Sequence, residues 1–102
     1  DVYKRQPIIL IENGCVTHAD GYSRADYLAK HIERAQKARR DGVPIEVYLC
    51  WSITSNREWG LPFDDNSDFG LYHIELDRDP QLTRVQTPAG LRYAEIIRSN
   101  HA

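Results

Sequence analysis

A run of aliphatic residues at positions 8–11 most restricts the fold that this chain can adopt. Every side chain in the run is apolar, which is typical of a strand covered on both faces, as in a parallel sheet, rather than of a half-exposed one. The run stops at Glu12, and Asn13 and Gly14 then suit a tight turn. The sequence therefore predicts a buried strand with a carboxylate at its C-terminal end.

A helix of about 17 residues is predicted to follow this strand. Ser23 can cap its N-terminus, Asp26 suits its first turn, and an Asp-Gly pair at residues 41–42 ends it. Between these limits, Leu28 and Ile32 repeat at the spacing of one helix face.

The second half of the chain predicts two more strands and a second helix. Residues 45–51 are rich in strand formers, residues 52–68 form a polar loop, and residues 71–76 form a short third strand. The final helix is opened by Thr87 and Pro88. Strands that alternate with helices imply an α/β fold of parallel βαβ units, with functional groups beyond the carboxyl ends of the strands.

The composition is that of one globular domain, which we assign to residues 1–102, with 41% hydrophobic and 27% charged residues. A formal net charge of -2 gives no electrostatic reason to expect nucleic acid or a membrane as partner. No stretch approaches the roughly 20 consecutive apolar residues of a membrane span, and the first residues do not resemble a signal peptide, which favours a cytoplasmic location.

No metal ion or other cofactor is predicted. The histidines and cysteines lack the spacing of metal ligands. A calcium-loop pattern does begin at Asp64, but Phe69 occupies the position where that pattern requires glycine. A turn that leads into the third strand is therefore the better prediction for this segment.

Several short motifs occur in a fixed order along the chain: I-E-N-G at residues 11–14, Y-L at 27–28, D-G-V at 41–43, W-S-I-T-S-N-R-E-W at 51–59, and D-F-G-L-Y at 68–72. In order and spacing they resemble the C-terminal quarter of glycoside hydrolase family 1, the β-glucosidases and related β-glycosidases. The resemblance implies a (β/α)8 barrel, to which this chain contributes the seventh strand, the seventh helix, the eighth strand and the closing segment.

The resemblance also implies a role for each of four residues. Glu12 would be the nucleophile, Trp51 would line the sugar subsite, and Glu58 and Trp59 would contact sugar hydroxyls. Their chemistry fits, because retaining glycoside hydrolysis needs a carboxylate that attacks the anomeric carbon, and a tryptophan offers a flat apolar face to a pyranose. From the residues alone, Glu12 can also cap a turn or pair with an arginine, and both tryptophans can be core residues.

Two geometric expectations follow from the resemblance. The peptide bond between Trp51 and Ser52 should be cis. The carboxylates of Glu12 and Glu58 should face one cavity at the C-terminal ends of the strands.

The chain departs from the family pattern in several places. Ile11 stands where the family commonly has threonine, and Ser-Asn-Arg at residues 55–57 stands where it commonly has Asp-Asn-Phe, so Arg57 puts a cation beside Glu58. The segment before Phe69 is longer than usual, so no role is predicted for that ring. The N-E-P motif of the family's acid/base glutamate has no counterpart in the sequence.

Two hypotheses follow for the function. In the first, the chain is the nucleophile-bearing portion of a retaining β-glycosidase that hydrolyses β-D-glucosides or related β-glycosides. Its partners are then the substrate and the remainder of the barrel, or a complementary chain, and it can also form homo-oligomers. The acid/base glutamate comes from sequence outside this chain, which is inactive alone. In the alternative, the chain is a non-catalytic module for sugar binding or assembly.

Overall fold

The computed structural model describes residues 6–16 and 23–100, in which a βαβ unit positions the site. Strands β1 (Ile8–Asn13) and β2 (Ile45–Cys50) pair in parallel, and helix α1 (Arg24–Arg40) connects them. The predicted strand, helix and strand are confirmed, and the helix has the expected 17 residues. The parallel pairing brings the C-terminal ends of both strands to one edge.

The ends of α1 lie where the sequence signals place them. The Ser23 hydroxyl accepts a hydrogen bond from the Asp26 N–H at 3.1 Å, and the Asp41 N–H donates to the carbonyl of Lys37. Gly42 follows with a φ of 99°, a conformation that glycine adopts readily because it has no side chain to clash with the backbone. Within the helix, Leu28 is fully buried. Local capping therefore decides where this helix starts and stops.

The predicted third strand at residues 71–76 is wrong in length and pairing. A much shorter strand, β3 (Tyr72–His73), pairs antiparallel with β4 (Val85–Gln86), which the sequence does not predict. The reason lies at Ile74, whose N–H donates to the Ser55 hydroxyl at 3.0 Å. The Ser55 side chain thus accepts the hydrogen bond that the Ile74 N–H would donate to a neighbouring strand if β3 were longer.

The final helix, α2 (Pro88–Asn100), begins as predicted. The Thr87 hydroxyl accepts a hydrogen bond from the Gly90 N–H at 3.1 Å and caps the helix. Ala89 packs with Leu28 and Leu71 in a small buried core, so α1 and α2 cover the same side of the molecule. Within the described residues, neither helix is long and apolar enough to cross a membrane.

The other side of the parallel sheet is open and apolar. Ile9 and Ile11 of β1 are 53% and 70% exposed, and Val47 and Leu49 of β2 are 38% and 47% exposed. The expectation of a strand covered on both faces is therefore met on the helical side only. An aliphatic face of this kind lacks the packing that a parallel strand normally has.

Candidate active site

An open cavity of about 700 Å³ lies at the C-terminal ends of β1 and β2. Its lining includes all the residues predicted for the site: Glu12, Trp51, Glu58 and Trp59. The two acids thus face one cavity, as the resemblance implies. Phe69, for which the sequence predicts no role, also lines it.

The end of β1 holds Glu12 close to Trp51. The Trp51 N–H donates to the Asn13 carbonyl at 2.8 Å, which continues the parallel ladder one residue past the end of β2. A side chain on Gly14 would place its Cβ only 1.9 Å from the Trp51 carbonyl oxygen. The glycine of the E-N-G motif is therefore required by the close approach of the two strand ends.

Asn13 fixes the end of β1 from the side of the sheet that faces α1, because an irregularity in the register between Leu10 and Asn13 interrupts the usual alternation of side chains. Its Oδ1 accepts a hydrogen bond from the Tyr48 hydroxyl at 2.6 Å, and its Nδ2 lies 3.2 Å from Nδ1 of His31. Burial raises the pKa of the Tyr48 phenol, which stays protonated as a donor. The sequence predicts a turn at Asn13 and no role in the site, whereas Asn13 is the last residue of β1, and its place directly after Glu12 is the available signal.

Both tryptophans are accessible from the cavity. The peptide bond between Trp51 and Ser52 is cis, which confirms the expectation from the resemblance. Trp51 is 40% exposed and Trp59 is 98% exposed. Within the described residues, neither ring belongs to the buried core, and each presents apolar surface to the cavity side of the molecule.

The Glu58 carboxylate is held by its own loop. The side-chain amide of Asn56 donates to Oε1 of Glu58 at 2.8 Å. Arg57, the cation that departs from the family pattern, also lines the cavity and forms an ion pair with Asp77. The positive charge beside Glu58 is therefore partly balanced by a carboxylate from another turn.

Below the loop, a buried polar cluster supports the site. The Asp68 carboxylate, in a residue only 3% exposed, accepts hydrogen bonds from the Ser55 hydroxyl at 3.0 Å and the Gly70 N–H at 2.8 Å. Buried Arg24 donates to the backbone carbonyls of Asp68 and Gly70. The Asp68 carboxylate, which the calcium-loop pattern would assign to a cation, thus already accepts hydrogen bonds from protein groups. Among residues 6–16 and 23–100, no group of metal-ligating side chains converges.

Two free thiols lie near the ends of β1 and β2. Cys15 is buried and Cys50 is half-buried. Burial raises the pKa of both thiols, that of Cys50 to about 11. Both therefore stay protonated at neutral pH and are poor nucleophiles.

His73 joins the buried cluster to the surface and provides a pH-dependent contact. Its Nδ1 lies 2.8 Å from Oδ2 of Asp68 and its Nε2 lies 2.9 Å from Oε1 of Glu75. The hydrogen bond to Glu75, followed by the one to Asp68, raises the pKa of His73 above the usual value of 6.5. The charged imidazolium is thus the form that these two acids stabilise.

We expect the unfolding temperature to fall as the pH rises from about 6.5 through the raised pKa of His73. A raised pKa in the folded state stabilises the protein fully below the unfolded pKa, and this contribution is lost as the imidazolium deprotonates. Thermal unfolding between pH 5.5 and 8.5 measures the effect. His73→Gln should remove this part of the pH dependence, whereas the control His31→Gln on α1 should keep it. Parallel curves for the protein and His73→Gln would contradict the expectation.

Residues 1–102 match Glycosyl hydrolase family 1 over their whole length. The chain belongs to this family. Among its relatives, the β-galactosidase of Sulfolobus acidocaldarius is 38% identical over 96 residues, which cover 92% of this chain and 18% of the relative. The human cytosolic β-glucosidase is 33% identical over 105 residues, which cover 98% of this chain and 22% of the relative. The chain thus spans only 18% to 22% of the length of these family 1 relatives.

The fold agrees with this family 1 membership. The structure of the β-glucosidase from Thermotoga maritima in complex with deoxynojirimycin matches with a TM-score of 0.75 at 28% identity. The match covers 92% of this chain and 22% of that chain. The parallel βαβ unit is consistent with part of a (β/α)8 barrel.

Proposed function

We propose that this chain is the nucleophile-bearing portion of a retaining β-glycosidase that acts on β-D-glucosides or related β-glycosides. The observation that carries the proposal is the cavity shared by Glu12 and Glu58 at the C-terminal ends of two parallel strands. This edge is where barrel enzymes place their reactive groups. In this proposal residues 1–102 form one unit, the C-terminal part of the barrel, from its seventh strand to its closing segment.

Glu12 performs the covalent step of the proposed reaction. Its carboxylate oxygen attacks the anomeric carbon, the glycosidic C–O bond breaks, and the leaving oxygen receives a proton from a second carboxyl group. That group then takes a proton from water, whose oxygen attacks the anomeric carbon and releases Glu12. Retaining enzymes keep the two carboxyl groups about 5 to 5.5 Å apart.

The second carboxyl group of this mechanism comes from sequence outside the chain. The N-E-P motif of the family's acid/base glutamate does not occur among the 102 residues. Glu58 has a different role in the proposal, because its carboxylate accepts hydrogen bonds from sugar hydroxyls, while Trp51 and Trp59 offer their ring faces to the C–H side of the pyranose. The chain alone is therefore proposed to be inactive.

The open face of the parallel sheet supports a partner of this kind. Its exposed aliphatic side chains would pack inside a closed barrel, and the outer edges of β1 and β2, which have no third strand beside them among the described residues, would pair with the neighbouring strands. The proposed partner is accordingly the remainder of the barrel, either in the same polypeptide or as a complementary chain.

We expect the isolated 102-residue chain to self-associate at micromolar concentration, because its apolar face and strand edges are uncovered. Sedimentation velocity measures the effect. Replacing Ile11 and Leu49 together with lysine should shift the distribution toward monomer. The control Leu91→Lys, at a 50% exposed position of α2, should not. A stable, well-folded monomer of the unmodified chain would count against the proposed partner.

The alternative function is a non-catalytic module that binds sugar through the same cavity. It keeps Trp51, Glu58 and Trp59 in their roles but gives Glu12 no covalent step. The coding sequence upstream of Asp1 separates the two functions. An N-E-P motif in a predicted strand there supports the enzyme, and an upstream reading frame without one favours the module.

A further inference from the structure

Asn56 connects the start of the loop after β2 to the carboxylate of Glu58. Its Nδ2 donates to Oε1 of Glu58 at 2.8 Å, and its Oδ1 lies 3.3 Å from the Ser52 hydroxyl, which also donates to the Thr54 carbonyl at 2.7 Å. The hydroxyl has one proton, so its bond to Thr54 is the stronger and its contact with Asn56 the weaker. The bond to Glu58 is therefore the main interaction of the Asn56 side chain.

Ser52, at the other end of this connection, is fixed in place. Its N–H donates to the Phe69 carbonyl at 3.2 Å, and its carbonyl accepts from the Leu71 N–H at 2.9 Å. Leu71 belongs to the buried core. Asn56 thus lies between Ser52, which main-chain hydrogen bonds hold in place, and the Glu58 carboxylate to which it donates.

We propose that Asn56 is a positioning residue, which holds the Glu58 carboxylate in the rotation that binds sugar hydroxyls. The inference rests on the proposed function of Glu58. A carboxylate offers about four lone-pair sites, so one bond from Asn56 leaves the others for a sugar. Without that bond, the long Glu58 side chain would regain rotamer freedom that substrate binding must then remove.

The neighbouring residues make asparagine the suitable side chain at this position. An ionised carboxylate accepts hydrogen bonds and cannot donate, so Glu58 requires a donor beside it. The Arg57 guanidinium also carries donors, but it forms an ion pair with Asp77. A neutral amide supplies the donor for Glu58 without adding another charge to the cavity.

The test is a double-mutant cycle on the complete enzyme with an aryl β-glucoside as substrate. Asn56→Ala should lower kcat/KM by roughly 10-fold, the effect of losing one hydrogen bond to a charged group. In a Glu58→Ala background, the same substitution should change kcat/KM by less than about twofold, because Asn56 acts through Glu58. The control Asn66→Ala, at an exposed position of the same loop, should leave kcat/KM unchanged.

Equal losses in both backgrounds, or no loss in the unmodified background, would overturn the role of Asn56. If Glu58→Ala lowers kcat/KM strongly and Asn56→Ala does not, only this inference fails. If Glu58→Ala has no effect, the proposed role of Glu58 fails as well.

Asn56→Asp gives a second readout that does not depend on tolerance of a smaller side chain. The introduced carboxylate is nearly the same size, but when ionised it cannot donate to Glu58 and repels it. At acid pH it gains a proton and can donate again. The ratio of kcat/KM between variant and unmodified protein should therefore rise as the pH falls. A ratio that does not change with pH would contradict the proposal.

Discussion

Replacing Glu12 with glutamine in the complete barrel should lower kcat for an aryl β-glucoside by roughly 10³-fold or more while the fold is kept. Glutamine has nearly the same size but lacks the anionic oxygen that attacks the anomeric carbon. Release of the aryl alcohol measures turnover, and the unfolding temperature checks the fold. The control Glu33→Gln makes the same chemical change at an exposed position of α1 and should leave kcat unchanged.

A smaller replacement distinguishes a nucleophile from an acid that only binds substrate. Glu12→Ala opens space beside the anomeric carbon, so added azide can attack from the side that the carboxylate has left. Turnover should rise with azide concentration, and the product should be a glycosyl azide of inverted anomeric configuration. Retention of most of the original kcat by Glu12→Gln would reject Glu12 as the nucleophile.

Replacing Arg24 with methionine should reduce the free energy of unfolding by about 3 kcal/mol or more. The change keeps most of the apolar stem but removes the donors for the carbonyls of Asp68 and Gly70, which lie in buried residues. Chemical denaturation of the complete barrel measures the effect. Because these carbonyls belong to the segment beneath the cavity, kcat/KM should also fall before global unfolding.

Arg34→Met is the matched control, because Arg34 is an exposed arginine on the same helix. Its replacement should change the free energy of unfolding by less than about 0.5 kcal/mol. Equal effects of the two substitutions would show that the loss at Arg24 comes from helix propensity or net charge rather than from the buried carbonyls.

The elements that the sequence predicts well are those with local causes. Ser23 and the Asp-Gly pair at residues 41–42 set the ends of α1 through contacts with residues close in sequence. The third strand fails for the opposite reason. The N–H of Ile74 is taken by Ser55, 19 residues away, and no local preference indicates that contact.

The site divides in the same way. Glu12, Trp51, Glu58 and Trp59 follow from motif letters and strand ends, and the structure brings them to one cavity. Asn56 and Phe69 come to line the cavity only when the loop after β2 folds back on the strands. The sequence also does not indicate that Arg24 is buried, because nothing distinguishes it from other polar residues in the first turn of a helix. Its surroundings are decided by tertiary packing.

The absence of a side chain at Gly14 lets the ends of β1 and β2 meet through their main chains at the cavity. Gly14 lies against the Trp51 carbonyl with no room for a methyl group. Main-chain atoms rather than side chains therefore set the distance between the ends of β1 and β2 at the cavity. A different side chain at Ile11, where the family commonly carries threonine, leaves this main-chain contact between Gly14 and Trp51 in place. A larger residue at position 14 would push the end of β1 and the Trp51 main chain apart.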